Sequence, residues 1–286
     1  MIIMKGEDVL NKKAKLALTV GVAGVAAWAT SKAFIKPKKR QPKKIFEKNH
    51  PFLTIQNKYL QPFSDQHSMF IRLQLTKDEQ LVAISMHTDP HLRISDMTWE
   101  ELKNVYFQNE DVVLLQTLTT RYPDVTFFAL IQDDPNAYEG SLIPSKLWNF
   151  LAENELTDRF IIASRHEEQI DRFNLYAQHA VALAASENDM LKAFATYTSA
   201  FGHFYKPTVD VFCLPEKIGF LPIISSGFIN FLHDLNIRVF YDATSSSNEL
   251  LEKRLGLNFD GFLLKDHNGL QWLSMINPSK FKSIAC

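Results

Sequence analysis

Apolar and polar residues alternate strictly between residues 69 and 75, which predicts a β-strand there. Every odd position is Met, Ile or Leu, whereas Phe70, Arg72 and Gln74 occupy the even positions. A period of two places these two sets on opposite faces of a strand. A polar turn at 76–79 precedes a short apolar run at 81–84, which predicts a second strand. A helix is predicted from residue 98, with Asp96 or Thr98 as its N-cap.

The same pattern continues along the chain and predicts alternating strands and helices. Further strands are predicted at 45–48, 125–131, 159–163, 180–184, 209–213, 238–242 and 261–264. Helices are predicted at 98–104, 144–154, 167–175, 187–197, 227–235 and 247–255. Pro144 suits a first helical turn and Gly256 a helix end. Strands that alternate with helices predict a parallel sheet, and their number favours a closed barrel over a doubly wound sheet.

Composition narrows the class of protein. The 286 residues suffice for one α/β barrel. A hydrophobic content of 46% and a charged content of 22% are those of a globular protein. The formal net charge of −1 gives no support to nucleic-acid binding. Two cysteines, Cys213 and Cys286, and the lack of a Cys/His cluster in the sequence argue against a disulfide framework and a zinc site.

An uncharged segment rich in Ala, Val and Gly, residues 16–31, lies between two groups of basic residues. We interpret 1–35 as a tail with a single-pass membrane anchor, although 16–31 is short for a spanning helix, which needs about 20 residues. The alternatives are a cleavable signal peptide, with Ala27 and Ala29 at its cleavage site, and an amphipathic tail. The basic linker at 36–44 favours a cytoplasmic barrel, whereas a signal peptide implies export.

Residues 69–102 resemble the glycerophosphodiester phosphodiesterase family. The family pattern is roughly E-L-D-V-x-L-T-K-D-G-x-L-V-V-x-H-D-P-x-L, followed by D-M-T-x-E-E-L. This chain has its L-T-K-D, L-V, D-P and D-M-T elements in that order, and weaker similarity follows at 118–123, 160–164 and 250–266. The resemblance implies a (βα)8 TIM barrel at 45–270, followed by a C-terminal tail at 271–286. It also implies a phosphoric diester hydrolase of phospholipid metabolism.

The catalytic positions implied by the resemblance are largely replaced. The family uses Ca²⁺ or Mg²⁺ held by carboxylates, with two histidines as general acid and base. The metal-binding E-x-D pattern falls on Phe70 and Arg72, and the glutamate of an E-x-K pattern falls on Leu130. We therefore expect no metal cofactor. His50 and His87 are the candidate catalytic residues that remain.

Arg72, Asp89 and Arg165 are the candidate ligand-binding residues. In one interpretation Arg72 is buried in the barrel and pairs with an acid such as Asp89 or Asp242. In the other, Arg72 supplies the positive charge that a metal supplies in the family, and it binds a phosphate. Arg165 follows a predicted strand, at the end of the barrel where barrel enzymes place their chemistry.

Three functions are compatible with the sequence. The first is a membrane-tethered phosphodiesterase-like barrel of low or no activity that binds a phosphodiester, a phospholipid-derived ligand or a protein partner. The second is a working hydrolase with a site rebuilt from His50, His87, Arg72 and Asp89. The third is a structural interaction protein whose barrel mouth is closed. The N-terminal segment predicts a membrane as partner, whereas the sequence does not indicate an oligomeric state.

Overall fold

The computed structural model describes residues 28, 31–32, 35–47, 52–56, 60–62, 68–86, 88–89, 92–106 and 111–277. The strands are β1 (Phe52–Ile55), β2 (Ser68–Leu75), β3 (Leu81–Ile84), β4 (Val112–Leu114), β5 (Phe127–Ile131), β6 (Phe160–Ser164), β7 (Ala182–Leu183), β8 (Val211–Leu214), β9 (Lys217–Ile218), β10 (Leu221–Pro222), β11 (Arg238–Asp242) and β12 (Gly261–Leu264). The helices are α1 (Trp99–Tyr106), α2 (Leu115–Arg121), α3 (Tyr138–Glu153), α4 (Glu167–Ala177), α5 (Glu187–Thr198), α6 (Ser226–Asp234), α7 (Asn248–Leu255) and α8 (His267–Ile276).

Eight parallel strands form a nearly closed barrel, in the order β7-β6-β5-β2-β1-β12-β11-β8. A parallel bridge between Ala184 and Val211 connects the two ends of this order. The helices α4, α6 and α8 pack against β6, β11 and β12 from outside. The predicted (βα)8 barrel is confirmed.

The alternation in β2 separates two hydrophobic clusters. Its odd positions, such as Ile71, belong to the large cluster between the strands and the helices, whereas Phe70 belongs to a smaller cluster inside the barrel. Inside the barrel, Phe70 stacks on Phe128 with ring centroids 5.3 Å apart, and Phe52 stacks on Phe240 at 5.2 Å. Such ring pairs each contribute about 0.5–1.5 kcal/mol beyond the area that they bury. The barrel interior is therefore an aromatic core through much of its height.

The predicted strand at 45–48 is wrong. Residues Lys44–Phe46 form a single turn of 3-10 helix, and Ile45 and Phe46 are buried in the cluster inside the barrel. The Phe46 ring packs edge-on against Phe52 and Phe240, with centroids 6.0 and 6.3 Å away. Two adjacent apolar residues satisfy a strand pattern locally, but here they close the amino-terminal end of the barrel.

β3 and β4 form an antiparallel extension of β2 beyond the barrel wall. The helix α1 that follows β3 begins at Trp99, and Thr98 acts as its N-cap as predicted: its hydroxyl accepts from the backbone N–H of Glu101 at 3.4 Å. The Glu101 carboxylate accepts in return from the backbone N–H of Thr98 at 2.7 Å. Asp78 accepts from the N–H of Trp99 at 2.9 Å. The L-T-K-D and D-M-T elements of the family pattern thus hold this extension together.

Pro144 does not start a helix. It lies inside α3, which begins six residues earlier at Tyr138. Pro144 has no N–H to donate to the carbonyl oxygen of Gly140, one helical turn before it. The fully buried Gln169 of α4 supplies the missing donor, because its Nε2 lies 3.0 Å from that oxygen. A side chain from the neighbouring helix therefore compensates for a proline in the second turn.

The two ends of the chain are described only in part. The predicted anchor at 16–31 lies outside the described residues except for Trp28 and Ser31, and so does the segment 278–286. Among the residues that the structure describes, we find no helix with the length and apolar character needed to cross a membrane. The last helix, α8, runs to Ile276 and thus extends past the predicted barrel end at residue 270.

Candidate functional site

The replaced catalytic positions are neighbours on the inner wall of the barrel. Arg72 of β2 lies opposite Leu130 of β5 in the strand register, and Phe70 lies opposite Phe128 one layer below. Gln132 continues the inward-facing set just after β5 ends. The family pattern therefore aligns to one continuous patch at the carboxyl ends of the strands, where barrel enzymes place their chemistry.

Arg72 is buried, with 5% of its surface exposed. Its Nη2 donates to the carbonyl oxygens of Ser85 and Thr88 at 2.7 and 2.9 Å, and its Nε donates to the Ser85 oxygen at 3.2 Å. Nη1 has no hydrogen-bond partner among the described residues. The guanidinium is thus held by the loop after β3.

Arg165 and Asp89 lie close enough to Arg72 to act on its charge. Burial lowers the pKa of Arg72, the Arg165 charge lowers it further, and the Asp89 charge raises it. Both of these neighbours are exposed on the rim of the barrel. The three predicted ligand-binding residues therefore share one electrostatic environment, with two cations and one anion.

Direct ion pairing between Arg72 and an acid is not seen in the described part of the chain. Its three hydrogen bonds go to backbone carbonyls. Asp242, the other suggested partner, accepts from the backbone N–H and the hydroxyl of Thr244 at 3.0 and 2.7 Å. Arg72 is thus buried, as in the first interpretation, but among the described residues it bonds to backbone carbonyls and not to an acid.

The inner-wall residues do not fit a divalent metal. Ca²⁺ and Mg²⁺ require several oxygen ligands, mostly carboxylates, and the matching positions are Phe70, Arg72 and Leu130. A guanidinium about 4 Å from a cation opposes it by roughly 4 kcal/mol per unit charge at an effective dielectric constant near 20. Within the described ranges, no three His, Cys, Asp or Glu residues are grouped so that they could hold a metal.

Two buried polar atoms inside the barrel lack partners within the described part of the chain. They are the hydroxyl of Thr54, on β1, and the Oε1 atom of Gln132. A buried polar group without a partner costs about 1–3 kcal/mol, and such groups commonly bind ordered water or a ligand. The interior is therefore not purely apolar: Gln132 follows Leu130, the residue opposite Arg72, and Thr54 lies lower, opposite Ser68.

Asp133, beside this patch, belongs to the structure of the rim. Its two carboxylate oxygens accept from Gln74 Nε2 at 3.2 Å and from the Leu75 N–H at 3.0 Å. Burial raises its pKa to about 6, although both hydrogen bonds act in the opposite direction. From sequence, Asp133 and Asp134 suggest either a displaced acidic pair or a turn, and the exposed Asp134 does accept from Asn136 as a turn residue does. The burial of Asp133 has no signal in the sequence.

A cavity of about 470 Å³ lies on the rim next to Arg165. It is lined by Arg165, His166 and Asn188, by the loop at Pro135 and Asn136, and by three acidic residues, Glu167, Glu168 and Asp171. Because the acids outnumber the cations, this cavity is poorly suited to an anion. We therefore place the candidate ligand site at Arg72, with Arg165 as a nearby positive charge.

A second polar cluster on the rim was not predicted. Glu216 accepts two bonds from Arg254, at 2.9 and 2.6 Å, and one from the Tyr241 hydroxyl at 2.7 Å. Tyr241 is fully buried among the residues between strands and helices. Its ring therefore cannot stack on a ligand inside the barrel, and the cluster fixes α7 to the loop after β8.

The predicted catalytic histidines, His50 and His87, lie outside the described residues. Their role stays a prediction. Arg72, Asp89 and Arg165 are described, and the structure brings these three together.

The chain shares its fold with glycerophosphodiester phosphodiesterases of known structure. One from Parabacteroides distasonis aligns with 80% of this chain and 99% of its own, with a TM-score of 0.58 and 10% identity. A putative glycerophosphodiester phosphodiesterase from Galdieria sulphuraria aligns with 81% of this chain and 99% of its own, with a TM-score of 0.58 and 12% identity. The glycerophosphoryl diester phosphodiesterase domain of a Mycobacterium tuberculosis protein aligns with 76% of this chain and 97% of its own, with a TM-score of 0.56 and 13% identity. No family model and no curated protein matches the sequence.

Proposed function

We propose that this chain is a divergent member of the glycerophosphodiester phosphodiesterase family that binds a phosphodiester or phospholipid-derived phosphate at its barrel mouth, with low or no hydrolysis. The fold shared with these enzymes supports the family. The replaced inner wall argues against their metal chemistry. The observation that carries the proposal is the Nη1 atom of Arg72, which has no partner among the described residues at the position of a family metal ligand.

The charges at the mouth favour a bound anion. Burial is the main cause that lowers the pKa of Arg72, and repulsion by the Arg165 charge comes next; the Asp89 charge, which raises this pKa, is a smaller cause. A phosphate between the two guanidinium groups would replace this repulsion by charge-assisted hydrogen bonds, each worth about 1.5–3 kcal/mol. Arginine suits this role because its planar donors match phosphate oxygens.

A second function is favoured by the aromatic wall. Phe70, where the family pattern has an oxygen ligand, stacks on Phe128, which suits a non-catalytic, membrane-tethered barrel that binds a protein partner. In that case the mouth does not admit a small ligand. Binding of a small phosphodiester separates the two functions.

The test is calorimetric titration of the full chain with glycerophosphocholine. Arg165→Gln removes a charge from an exposed side chain, so that the fold is retained, and we expect affinity to fall about 10–100-fold. Lys253→Gln, which removes one charge from the exposed face of α7, is the matched control and should leave affinity unchanged. Equal affinity of the Arg165 variant and the native chain contradicts the proposed site.

Hydrolysis is measured on the same samples. Glycerophosphocholine and a chromogenic phosphodiester are incubated with Mg²⁺, with Ca²⁺ and with EDTA, using the native chain, His50→Ala and His87→Ala. We expect little turnover under any of these conditions. Metal-dependent turnover that both histidine variants abolish would establish a rebuilt catalytic site instead. Turnover that persists in EDTA but needs the histidines would support catalysis in which Arg72 replaces the metal.

A further inference from the structure

A cavity of about 530 Å³ lies at the amino-terminal end of the barrel, opposite the mouth. It is formed between the linker at 36–43 and the loops that precede β7 and β8. We call it the basic pocket. Its cationic and histidine side chains are Lys38, Lys39, Arg40, Lys43, Lys206 and His179.

The linker is fixed on the barrel by specific contacts. Arg40 makes a two-pronged ion pair with the buried Asp210, with Nε and Nη2 at 2.8 and 2.7 Å from the same oxygen. The backbone of Arg40 bonds to Leu235, and its carbonyl accepts from Asn236 at 2.7 Å. Lys43 donates to the carbonyl of His179. The pocket is thus preformed and does not depend on chance contacts of a flexible tail.

Positive charge in the basic pocket exceeds the acid available there. Asp210 is used by Arg40, and Asp158 pairs with Lys44 at 3.4 Å. Among the described residues, Lys38, Lys39 and Lys206 have no carboxylate within ion-pair distance. These positive charges act on His179, which lines the same pocket. After burial, the Arg40 charge is the largest cause that lowers the pKa of His179.

An aromatic loop lies beside the basic pocket on the same face. Phe201 and Phe204 are 47% and 45% exposed and precede Lys206 by a few residues. The end of the predicted anchor packs on this loop, because Trp28 Nε1 donates to the carbonyl of Ala200 at 3.1 Å. The Ser31 hydroxyl also lies 2.8 Å from His203 Nε2. Exposed aromatic rings next to lysines are typical of a surface that meets the membrane interface.

We propose that the basic pocket binds the phosphate of an anionic phospholipid headgroup, and that the amino-terminal face of the barrel lies on the membrane. The pocket provides the cations, and Phe201 and Phe204 provide the apolar contact. This orientation directs the barrel mouth away from the bilayer. The assignment is independent of any ligand at Arg72.

The test measures partitioning of the full chain into vesicles by flotation. The predicted anchor can insert into any bilayer, so the measured quantity is the ratio of binding to phosphatidylcholine vesicles with and without phosphatidylglycerol. The triple variant Lys38→Gln, Lys39→Gln, Lys206→Gln changes exposed side chains and retains the fold. We expect it to lower this ratio about 100-fold, at about fivefold per lysine.

The control removes the same charge from other surfaces. Lys77→Gln, Lys253→Gln and Lys265→Gln also change exposed lysines, none of which lines the basic pocket. This triple variant should keep the native ratio. An equal loss in both triple variants, or no loss in the first, overturns the proposal. Calorimetric titration with inorganic phosphate tests whether the basic pocket binds free phosphate instead of a lipid headgroup. The proposal is also overturned if free phosphate binds in the basic pocket while the native chain and the first triple variant have the same vesicle-binding ratio.

Discussion

At the scale of single residues, Asp133 shows how burial and hydrogen bonding compete. Both of its oxygens accept hydrogen bonds, which favour the charged form, yet burial dominates and raises its pKa to about 6 from an ordinary value of 3.8. The folded state therefore holds a proton that the unfolded chain has already released between these two values. Stability from this group is complete below about pH 4 and is lost as the pH rises through 6.

We expect this loss to amount to about 3 kcal/mol between pH 4 and pH 7. Asp133→Asn removes the titration. The variant also loses an acceptor, but that cost does not depend on pH. Urea unfolding of both proteins across this range should show the native chain gaining stability relative to the variant as the pH falls. A difference in unfolding free energy that stays constant with pH would show that Asp133 is charged in the folded state.

At the scale of elements, the contact between α3 and α4 depends on Gly140. A Cβ atom at this position would lie 1.7 Å from the carbonyl oxygen of Asp134. The same glycine's carbonyl receives the Gln169 donor that Pro144 makes necessary. The close approach of the Asp134 carbonyl and the hydrogen bond from Gln169 thus both fix the backbone at Gly140, where there is no room for a side chain.

We therefore expect Gly140→Ala to lower the free energy of unfolding by about 2–4 kcal/mol. Gly256→Ala is the matched control. Its Cβ would meet no atom within 4 Å and its φ of −72° suits alanine, so stability should change by less than about 1 kcal/mol. Chemical denaturation of the two variants tests this. Equal stabilities would mean that the turn at Asp134 shifts at little cost.

Elements with a clear period are predictable from the sequence and others are not: the ten-residue α8 is missed, as is the first part of α3. The sequence predicts β2 because the seven residues 69–75 alternate, and α4 and α5 because apolar residues recur at helical spacing. β1 was missed, since four buried residues have no period, while Ile45 and Phe46 produced a false strand. Contacts with Phe240, far along the chain, decide the conformation of Phe46. Such contacts have no local signature.

At the scale of the whole molecule, the linker is part of the barrel. The side chains of Arg40 and Asp210 are 11% and 3% exposed, and Asp210 also accepts from the N–H of Leu183 at 3.0 Å. The prediction of a basic linker was made from composition alone, and composition could not reveal this pair. The grouping of Arg72, Asp89 and Arg165 could be anticipated, because strand ends meet at one end of a barrel. The hydrogen bonds that hold Arg72 depend on a loop conformation that no sequence pattern encodes.

We expect Arg40→Met to destabilise the chain by about 3–5 kcal/mol, because it leaves the buried Asp210 carboxylate without its partner. Lys44→Met, which breaks an exposed pair with Asp158, should cost less than about 1 kcal/mol. Thermal or urea unfolding of the two variants measures the contrast. Similar losses for both would indicate that the linker contributes only weak surface attraction.

Closure of the amino-terminal end has a consequence for biosynthesis. Ile45 and Phe46 leave the ribosome early, but the groups that cover them include Phe240 and Leu263, and β1 pairs with β12. At ordinary translation rates of about 5–20 residues per second, these apolar residues wait roughly tens of seconds for their partners. The barrel therefore closes only after the chain has been synthesised through β12.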